Sequence, residues 1–235
     1  MKTPFLTAEW RKLALANYAV DPALLQSFVP RHTELDTWNG VCYVSLVGFM
    51  FLNTRLKGVA IPFHRHFEEV NLRFYVRHFN GEEWLRGVVF IKEIVPKPAI
   101  TLVANTIYKE HYETLRMKHR WQLGDSSQTI QYAWKKDTWH QLALQASSSP
   151  MDLQPGSEEE FITEHYWGYS AHDAHTIGYK VEHPRWQVYE VQSHDIQVDF
   201  GKVYGSSFAA LSQEQPLSVF LAEGSLISVG EKFRV

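Results

Sequence analysis

The sequence predicts a β-rich α+β fold on the strength of three observations. Residues 67–76 and 86–95 alternate in polarity, and an Asn80-Gly81 pair, typical of a tight hairpin turn, lies between them. Residues 41–49 are rich in β-branched and aromatic side chains, which indicates a strand buried on both faces. Strands and helices do not alternate regularly along the chain, so we do not expect a doubly wound parallel sheet.

The first hairpin strand has an apolar and a polar face, because successive side chains of a strand point to opposite sides. The apolar face, which should be buried, consists of Val70, Leu72, Phe74 and Val76. The polar face consists of Glu69, Asn71, Arg73 and Tyr75. Antiparallel sheets often have one solvated face, so the polar face of the hairpin is either a solvated surface or the wall of a cavity that carries Glu69, Arg73, Arg86 and Lys92.

The turn also predicts which residues of the hairpin pair. With Asn80 and Gly81 at its centre, Glu69 faces Lys92 and Tyr75 faces Arg86. The same register places Glu68 opposite Glu93, which is unfavourable and indicates a bulge or a divergence at the far end of the hairpin.

Length and composition favour a single domain spanning residues 1–235. The 23 Lys and Arg nearly balance the 26 Asp and Glu, so the net charge of -3 offers no basic surface for nucleic acid. We expect no membrane span, because no apolar run is long enough, and no signal peptide at the N-terminus. Cys42 is the only cysteine and fits a reducing compartment, so the expected location is cytoplasmic. A homo-oligomer is left open.

Several other segments have local signals. Asp21-Pro22 predicts the start of a short helix, and the acidic residues 158–160 predict the first turn of another helix through Thr163. Residues 100–115 have mixed periodicity and are predicted to begin as a strand and end as a helix. Residues 129–137 and 188–199 alternate as strands, and Gly224 predicts an elbow before a final strand.

Motifs spread over nearly the whole chain resemble a known family. They include residues 20–22 (VDP), 43–49 (YVSLVGF), 61–64 (IPFH), 67–73 (FEEVNLR) and 182–186 (EHPRW). These segments are similar to the YqjF-like family of uncharacterised bacterial proteins, which is grouped with the acetoacetate decarboxylase-like superfamily. The resemblance implies a double-layered, cone-shaped β-barrel around a central cavity. The family label carries no established reaction.

The remoter resemblance to acetoacetate decarboxylases draws attention to Lys97. In those enzymes, a lysine after a proline forms a Schiff base with the keto acid, and a second lysine follows it. Pro96-Lys97 is similar, but Pro98 stands where the second lysine would be. A lysine of ordinary pKa, about 10.4, is protonated at neutral pH, so Lys97 needs desolvation or another cation to become a nucleophile. The alternative is a solvated loop lysine.

The predicted site contains further residues around this candidate. Glu69 is the candidate general acid or base, because it shares a face with Arg73. Arg73 and Arg55 are candidate carboxylate clamps, because a guanidinium donates hydrogen bonds in a planar fork. Lys92 and Tyr75 complete the predicted substrate-binding set.

Three functions are compatible with these residues. The first is a Schiff-base lyase, of the decarboxylase or aldolase-dehydratase type, that acts on a small organic acid or carbonyl compound through Lys97. The second is a non-catalytic protein that binds such a ligand in the same cavity, an alternative that Pro98 favours. The third is a structural or assembly module in which the polar face of the hairpin is exposed to solvent.

Metal and cofactor sites have weak signals. His64 and His66, and His172 and His175, have spacings that a metal can use, but histidines in loops more often bond to backbone or water. The sequence contains no Gly-rich phosphate loop, no nucleophile elbow and no paired-cysteine motif. We therefore expect no metal and no other cofactor.

Overall fold

The computed structural model describes residues 4–172 and 175–235. These residues form sixteen strands, three α-helices and three short 3-10 helices. The strands are β1 Leu6–Val20, β2 Glu34–Leu35, β3 Cys42–Leu56, β4 Phe67–Phe79, β5 Trp84–Val95, β6 Tyr112–Thr114, β7 Arg116–Leu123, β8 Ser127–Lys136, β9 Thr138–Ser147, β10 Met151–Asp152, β11 Trp167–His172, β12 His175–Glu182, β13 Gln187–Tyr189, β14 Val191–Gln197, β15 Ser218–Val229 and β16 Phe233–Arg234. The α-helices are α1 Pro98–Ile107, α2 Glu158–Thr163 and α3 Phe200–Tyr204, and the 3-10 helices are Pro22–Leu24, Gln26–Phe28 and Ser206–Ser212.

The larger sheet closes on itself. Neighbouring strands follow the order β15, β1, β3, β4, β5, β11 and β12, and β12 pairs again with β15. The closing contacts are Val181 with Val229 and Glu182 with Ser228. The β-rich fold class predicted from the sequence is therefore confirmed, and the closed strand path surrounds an interior.

A second sheet of four strands, β14-β9-β8-β7, covers part of the outside of the first. Tyr132 and Trp134 of β8 pack with Leu46 and Leu72 of the large sheet in one buried cluster. Gly48 permits this close approach, because a Cβ at this position would lie 2.8 Å from Cδ2 of Tyr132. Strand β3 is thus buried on both faces, as predicted: one faces the second sheet and the other faces the interior.

The β4–β5 hairpin has a different register from the predicted one. Phe79 pairs with Trp84, and Tyr75 pairs with Val88 and not with Arg86. The predicted pairing of Glu69 with Lys92 is also wrong, because Lys92 pairs with Leu72. The turn residues are one position further along the chain than predicted, since Asn80 N donates a backbone hydrogen bond to the carbonyl oxygen of Glu83.

The predicted bulge is present, although it lies in the middle of the hairpin. Leu72 pairs with Lys92 and Arg73 with Phe90, so Ile91 is the extra residue of β5. An extra residue reverses the alternation of faces beyond it. Phe90 and Glu93 consequently share the face of Arg73, whereas Lys92 lies on the opposite face.

The order of elements predicted for residues 100–115 is wrong. A helix, α1, comes first and the short strand β6 follows it. Pro98 occupies the first turn of α1, where its missing N–H costs no hydrogen bond. The acidic helix Glu158–Thr163 is confirmed, with Ser157 accepting a capping hydrogen bond from Glu160 N. In the described parts of the chain, no helix is long and apolar enough to cross a membrane.

Candidate ligand-binding cavity

The interior of the closed sheet contains a cavity of about 240 Å³. Strands β1, β3, β4, β5 and β12 and helix α1 contribute to its walls, which are mainly aromatic and aliphatic. Phe51 stacks on Phe67 with ring centres 4.6 Å apart, and Trp10 packs edge-on against Phe49 at 5.3 Å. Most of the wall therefore suits an apolar or aromatic ligand.

The polar face of β4 points into this cavity. Glu69, Asn71 and Arg73 line it and are 2%, 1% and 8% exposed. Leu72 and Phe74, on the other face, are fully buried in the core between the two sheets. The prediction that the polar face is a cavity wall is confirmed for Glu69 and Arg73, which are buried there with Asn71. It is wrong for Arg86 and Lys92, which the same hypothesis placed in the wall but which do not line the cavity.

Three buried carboxyl groups meet in the cavity wall, namely Glu69, Glu93 and Glu110. Glu69 accepts hydrogen bonds from Asn71 Nδ2 at 3.0 Å and from the Tyr112 hydroxyl at 3.1 Å. The Tyr179 hydroxyl donates to Glu110 Oε1 at 2.9 Å.

Burial raises the pKa of all three carboxyl groups, since desolvation disfavours the charged form. It raises the pKa of Glu69 to about 7 and that of Glu110 to about 8, in each case opposed by the hydrogen bonds that the group accepts. The pKa of Glu93 is raised well above the ordinary value by burial and by the charges of Glu110 and Glu69. Near neutral pH the cluster therefore holds protons and can donate hydrogen bonds to a ligand oxygen.

Arg73 provides a buried positive charge in the same wall. Its Nη2 donates to the carbonyl oxygen of Ile162 at 3.3 Å, and the guanidinium lies over the Tyr75 ring at 5.7 Å. Among the described residues, no carboxylate lies within the 4.0 Å of an ion pair with Arg73. Glu69 is near enough for the charge of Arg73 to act on its pKa, but a buried guanidinium without a direct ion pair is still costly, so Arg73 is suited to an anionic ligand group.

Unpartnered polar atoms are concentrated at the cavity. Of ten buried side-chain nitrogen and oxygen atoms that lack a hydrogen-bond partner among the described residues, six belong to residues that line it. These are Trp10 Nε1, Thr54 Oγ1, Asn71 Oδ1, Arg73 Nε, Glu93 Oε2 and His165 Nδ1. Buried polar groups are nearly always paired, so a cluster of exceptions in one wall needs a functional explanation.

Two histidines of the wall are neutral. Burial lowers the pKa of His165 to about 4, although its hydrogen bond to Asp36 opposes this effect. Burial also lowers the pKa of His183 to about 4, and its ring stacks on Trp186 with centres 4.1 Å apart. Both rings can therefore act as hydrogen-bond acceptors at neutral pH.

The other predicted site residues lie elsewhere. Lys92 is on the outer face of the hairpin, where its Nζ donates to Glu113 Oε2 at 2.8 Å and to the carbonyl oxygen of Val203 at 2.6 Å. Arg55 is exposed and donates to the carbonyl oxygen of Gly58 at 3.3 Å. Tyr75 is buried behind the wall, with its hydroxyl 2.7 Å from Ser45 Oγ.

Lys97 immediately precedes α1 and is half-buried. It is not among the described residues that line the cavity, although Ala99 and Ile100 of the same helix are. Against the effect of burial, the hydrogen bond with His119 lowers the pKa of Glu68, a residue of the outer face of β4, and the charge of Lys97 adds a smaller effect in the same direction. The structure thus brings Glu69 and Arg73 together and separates them from Lys97.

Sequence reasoning missed Glu93, Glu110, Tyr112, Tyr179 and His165 as members of the site. The predicted hairpin contains Glu93 but places it opposite Glu68. The bulge at Ile91 instead directs its side chain into the cavity. Glu110 gave no signal in the sequence, because it lies before strand β6, where the alternation of strand faces does not apply.

Within residues 4–172 and 175–235, no group of three or more His, Cys, Asp and Glu side chains is arranged to hold a metal ion. His64 Nδ1 donates a hydrogen bond within its own loop, to the carbonyl oxygen of Pro62 at 2.8 Å. In the second histidine motif, Asp173 and Ala174 lie outside the described residues.

Solved structures with the same fold are acetoacetate decarboxylase-like enzymes. An acetoacetate decarboxylase from Legionella pneumophila aligns with a TM-score of 0.66 at 13% identity, covering 100% of this chain and 90% of that one. The enduracididine biosynthesis enzyme MppR, solved with pyruvate, aligns with a TM-score of 0.68 at 12% identity, covering 100% and 91%. At such low identity these likenesses establish the fold alone.

Sequence comparisons give the family. The uncharacterized protein YqjF of Bacillus subtilis (strain 168) is 27% identical over 213 residues, which cover 88% of this chain and 84% of that protein. The model of the family DUF2071, described as an uncharacterized conserved protein, matches residues 7–225. The chain therefore belongs to the DUF2071 family, whose member here has the acetoacetate decarboxylase-like fold.

Proposed function

We propose that this protein binds a small organic acid or carbonyl compound in the cavity of the closed sheet. The observation that carries the proposal is the set of unpartnered buried polar atoms in an otherwise apolar wall. Each such atom costs about 1–3 kcal/mol when it is left unpaired, so a ligand that pairs several of them gains affinity and specificity.

The chemistry of the wall selects the ligand. Arg73 is suited to a carboxylate. Glu110, with its pKa raised to about 8, is mostly protonated at neutral pH and can donate to a carbonyl or carboxylate oxygen, and Glu69, with its pKa raised to about 7, can do so in its protonated fraction. The aromatic walls are suited to an apolar body. A cationic amine is disfavoured, because Arg73 repels it and the carboxyl groups would have to ionise in a desolvated site.

Binding without imine chemistry is the form of this function that the geometry supports best. A Schiff base requires a lysine amine in contact with the ligand, and none of the described residues lining the cavity is a lysine. MppR, a structural neighbour, has been solved with pyruvate, which is a small keto acid, and this agrees with the proposed ligand class.

Calorimetric titration with phenylpyruvate tests the proposal, because this acid combines an aromatic body, a carbonyl and a carboxylate. Benzyl methyl ketone lacks only the carboxylate and should bind more weakly. Arg73→Met should weaken phenylpyruvate binding at least about 30-fold, the effect of removing one partner of a buried charge pair. Arg77→Met is the matched control, because Arg77 lies on the same strand but pairs with Glu34 outside the cavity and should leave binding unchanged. No binding of phenylpyruvate, or equal binding by the Arg73→Met variant, would contradict the proposal.

A second candidate is a Schiff-base lyase with Lys97 as the nucleophile. The position of Lys97 directly before helix α1 favours this candidate, because Ala99 and Ile100 in the first turn of that helix line the cavity. The amine of Lys97 would form an imine with the ligand's carbonyl group and release water, and borohydride would reduce that imine to a stable amine. Lys97 should then gain the mass of pyruvate, acetoacetate or phenylpyruvate less one oxygen atom, and Lys97→Arg should abolish the adduct. We expect no adduct if the protein only binds its ligand.

A further inference from the structure

Beside the carboxyl cluster, the cavity wall contains a histidine held by a buried aspartate. Asp36 Oδ2 accepts hydrogen bonds from Arg86 Nε at 2.7 Å and from His165 Nε2 at 3.2 Å. Asp36 and His165 are each 7% exposed. The imidazole packs against Tyr75 and Phe161, with ring centres 4.7 and 5.1 Å away. These contacts fix the orientation of the ring.

The same contacts fix which nitrogen carries the proton. Although burial acts to raise the pKa of Asp36, hydrogen bonds from His165 and Arg86 hold it below the ordinary value, so the aspartate is ionised. An ionised carboxylate only accepts hydrogen bonds, and His165 is neutral at neutral pH. The ring hydrogen is therefore on Nε2, and Nδ1 presents a lone pair.

Nδ1 is buried and has no partner among the described residues. His165 lines the cavity, whereas Asp36, on the Nε2 side of the ring, does not. Nδ1 is thus the ring nitrogen that remains for a ligand. A second carboxylate or a carbonyl oxygen would be repelled there, because both are acceptors facing an acceptor.

We propose that His165 Nδ1 accepts a hydrogen bond from a hydroxyl group of the ligand, so that the cavity prefers hydroxy acids to the corresponding keto or unsubstituted acids. This inference rests on the proposed function and names the ligand class within it. The hydroxyl group would lie near the carboxylate, since Arg73 donates to the carbonyl oxygen of Ile162, three residues before His165. A site with a buried acceptor discriminates strongly against analogues that leave the acceptor unpaired.

Three acids that share one skeleton test the preference. Phenyllactate, phenylpyruvate and hydrocinnamate carry a hydroxyl, a carbonyl and a methylene, respectively, next to the carboxylate. We expect phenyllactate to bind at least about tenfold more tightly than hydrocinnamate, as expected for pairing one buried acceptor. Equal affinities would overturn the inference and leave the proposed function standing. Failure of all three acids to bind would overturn both.

Two variants of His165 distinguish the loss of the hydrogen-bond acceptor Nδ1 from the loss of the packing of the ring. His165→Phe keeps a flat ring against Tyr75 and Phe161 but lacks the ring nitrogens, so it should bind phenyllactate and hydrocinnamate equally. His165→Asn can present its amide oxygen near the position of Nδ1 and should retain part of the preference. A preference that survives intact in His165→Phe would overturn the inference.

The unaltered protein offers an independent test that does not depend on how the variants fold. Nitrogen NMR distinguishes a protonated ring nitrogen from one with a lone pair. At neutral pH we expect the signal of a bare Nδ1 and a protonated Nε2 for His165, and a change at Nδ1 when phenyllactate is added. A protonated Nδ1 would overturn the inference.

Discussion

Glutamate side chains on the two faces of the β4–β5 hairpin differ in their hydrogen-bond partners and in the direction of their pKa shifts. On the outer face, Glu68 is 2.7 Å from His119 Nδ1, and Glu113 of the neighbouring β6 accepts from Lys92 and Lys136, each at 2.8 Å. On the inner face, Glu93 Oε2 lacks a partner among the described residues. The outer carboxyl groups have lowered pKa values, and the inner ones have raised values.

This difference indicates that the polar groups of the outer face stabilise the fold, whereas those of the inner face serve a function. The outer polar groups neutralise each other where the second sheet covers the hairpin, which is what a structural interface requires. The inner groups would be better replaced by apolar residues if packing alone mattered. We infer that the inner polar groups are retained because a ligand pairs with them, and substitutions on the two faces should therefore have different effects.

The largest effect on stability should come from the outer face. Leu72 is fully buried between the two sheets, so Leu72→Ala should lower the free energy of unfolding by about 2–5 kcal/mol. Denaturant unfolding measures the change. A loss below about 1 kcal/mol would show that the outer core is not the main source of stability.

A smaller effect, with a specific pH dependence, should come from Glu110→Gln. The pKa of Glu110 is raised in the folded state, so its contribution to stability is full below about pH 4.5 and is lost as the pH rises through about 8. Glutamine stays neutral and can still accept from Tyr179. We expect the variant to match the wild type near pH 5 and to exceed it by about 1–3 kcal/mol near pH 9.

The same substitution at Glu113 should have the opposite sign. Despite the opposing effect of burial, hydrogen bonds from Lys136 and Lys92 lower the pKa of Glu113, so the ionised form is favoured in the fold. Glu113→Gln should therefore lose stability above about pH 4.5, by less than about 1 kcal/mol because the pair is partly exposed. If both glutamine variants respond to pH alike, the two faces do not differ as described.

Local pattern predicted the strands and the inward direction of Glu69 and Arg73, because alternation within one strand depends on neighbours in the sequence alone. It failed at Lys92 and Glu93, because one extra residue at Ile91 reverses the faces of β5. The local pattern also could not predict that Glu110 and His165 lie in the same cavity wall. Their positions depend on the closure of the sheet, a property of distant pairings that no short segment encodes.

The most direct test of the ligand site compares denaturant unfolding of the wild type and Arg73→Met, with and without phenylpyruvate. Because Arg73 has no direct ion pair among the described residues and only a more distant interaction with Glu69, its removal should change the stability of the ligand-free protein by less than about 2 kcal/mol. Phenylpyruvate at a hundred times its dissociation constant should stabilise the wild type by about 2.7 kcal/mol and the variant much less. A variant destabilised by more than about 2 kcal/mol without ligand, yet still stabilised by phenylpyruvate as the wild type is, would show that Arg73 serves the fold and not a ligand.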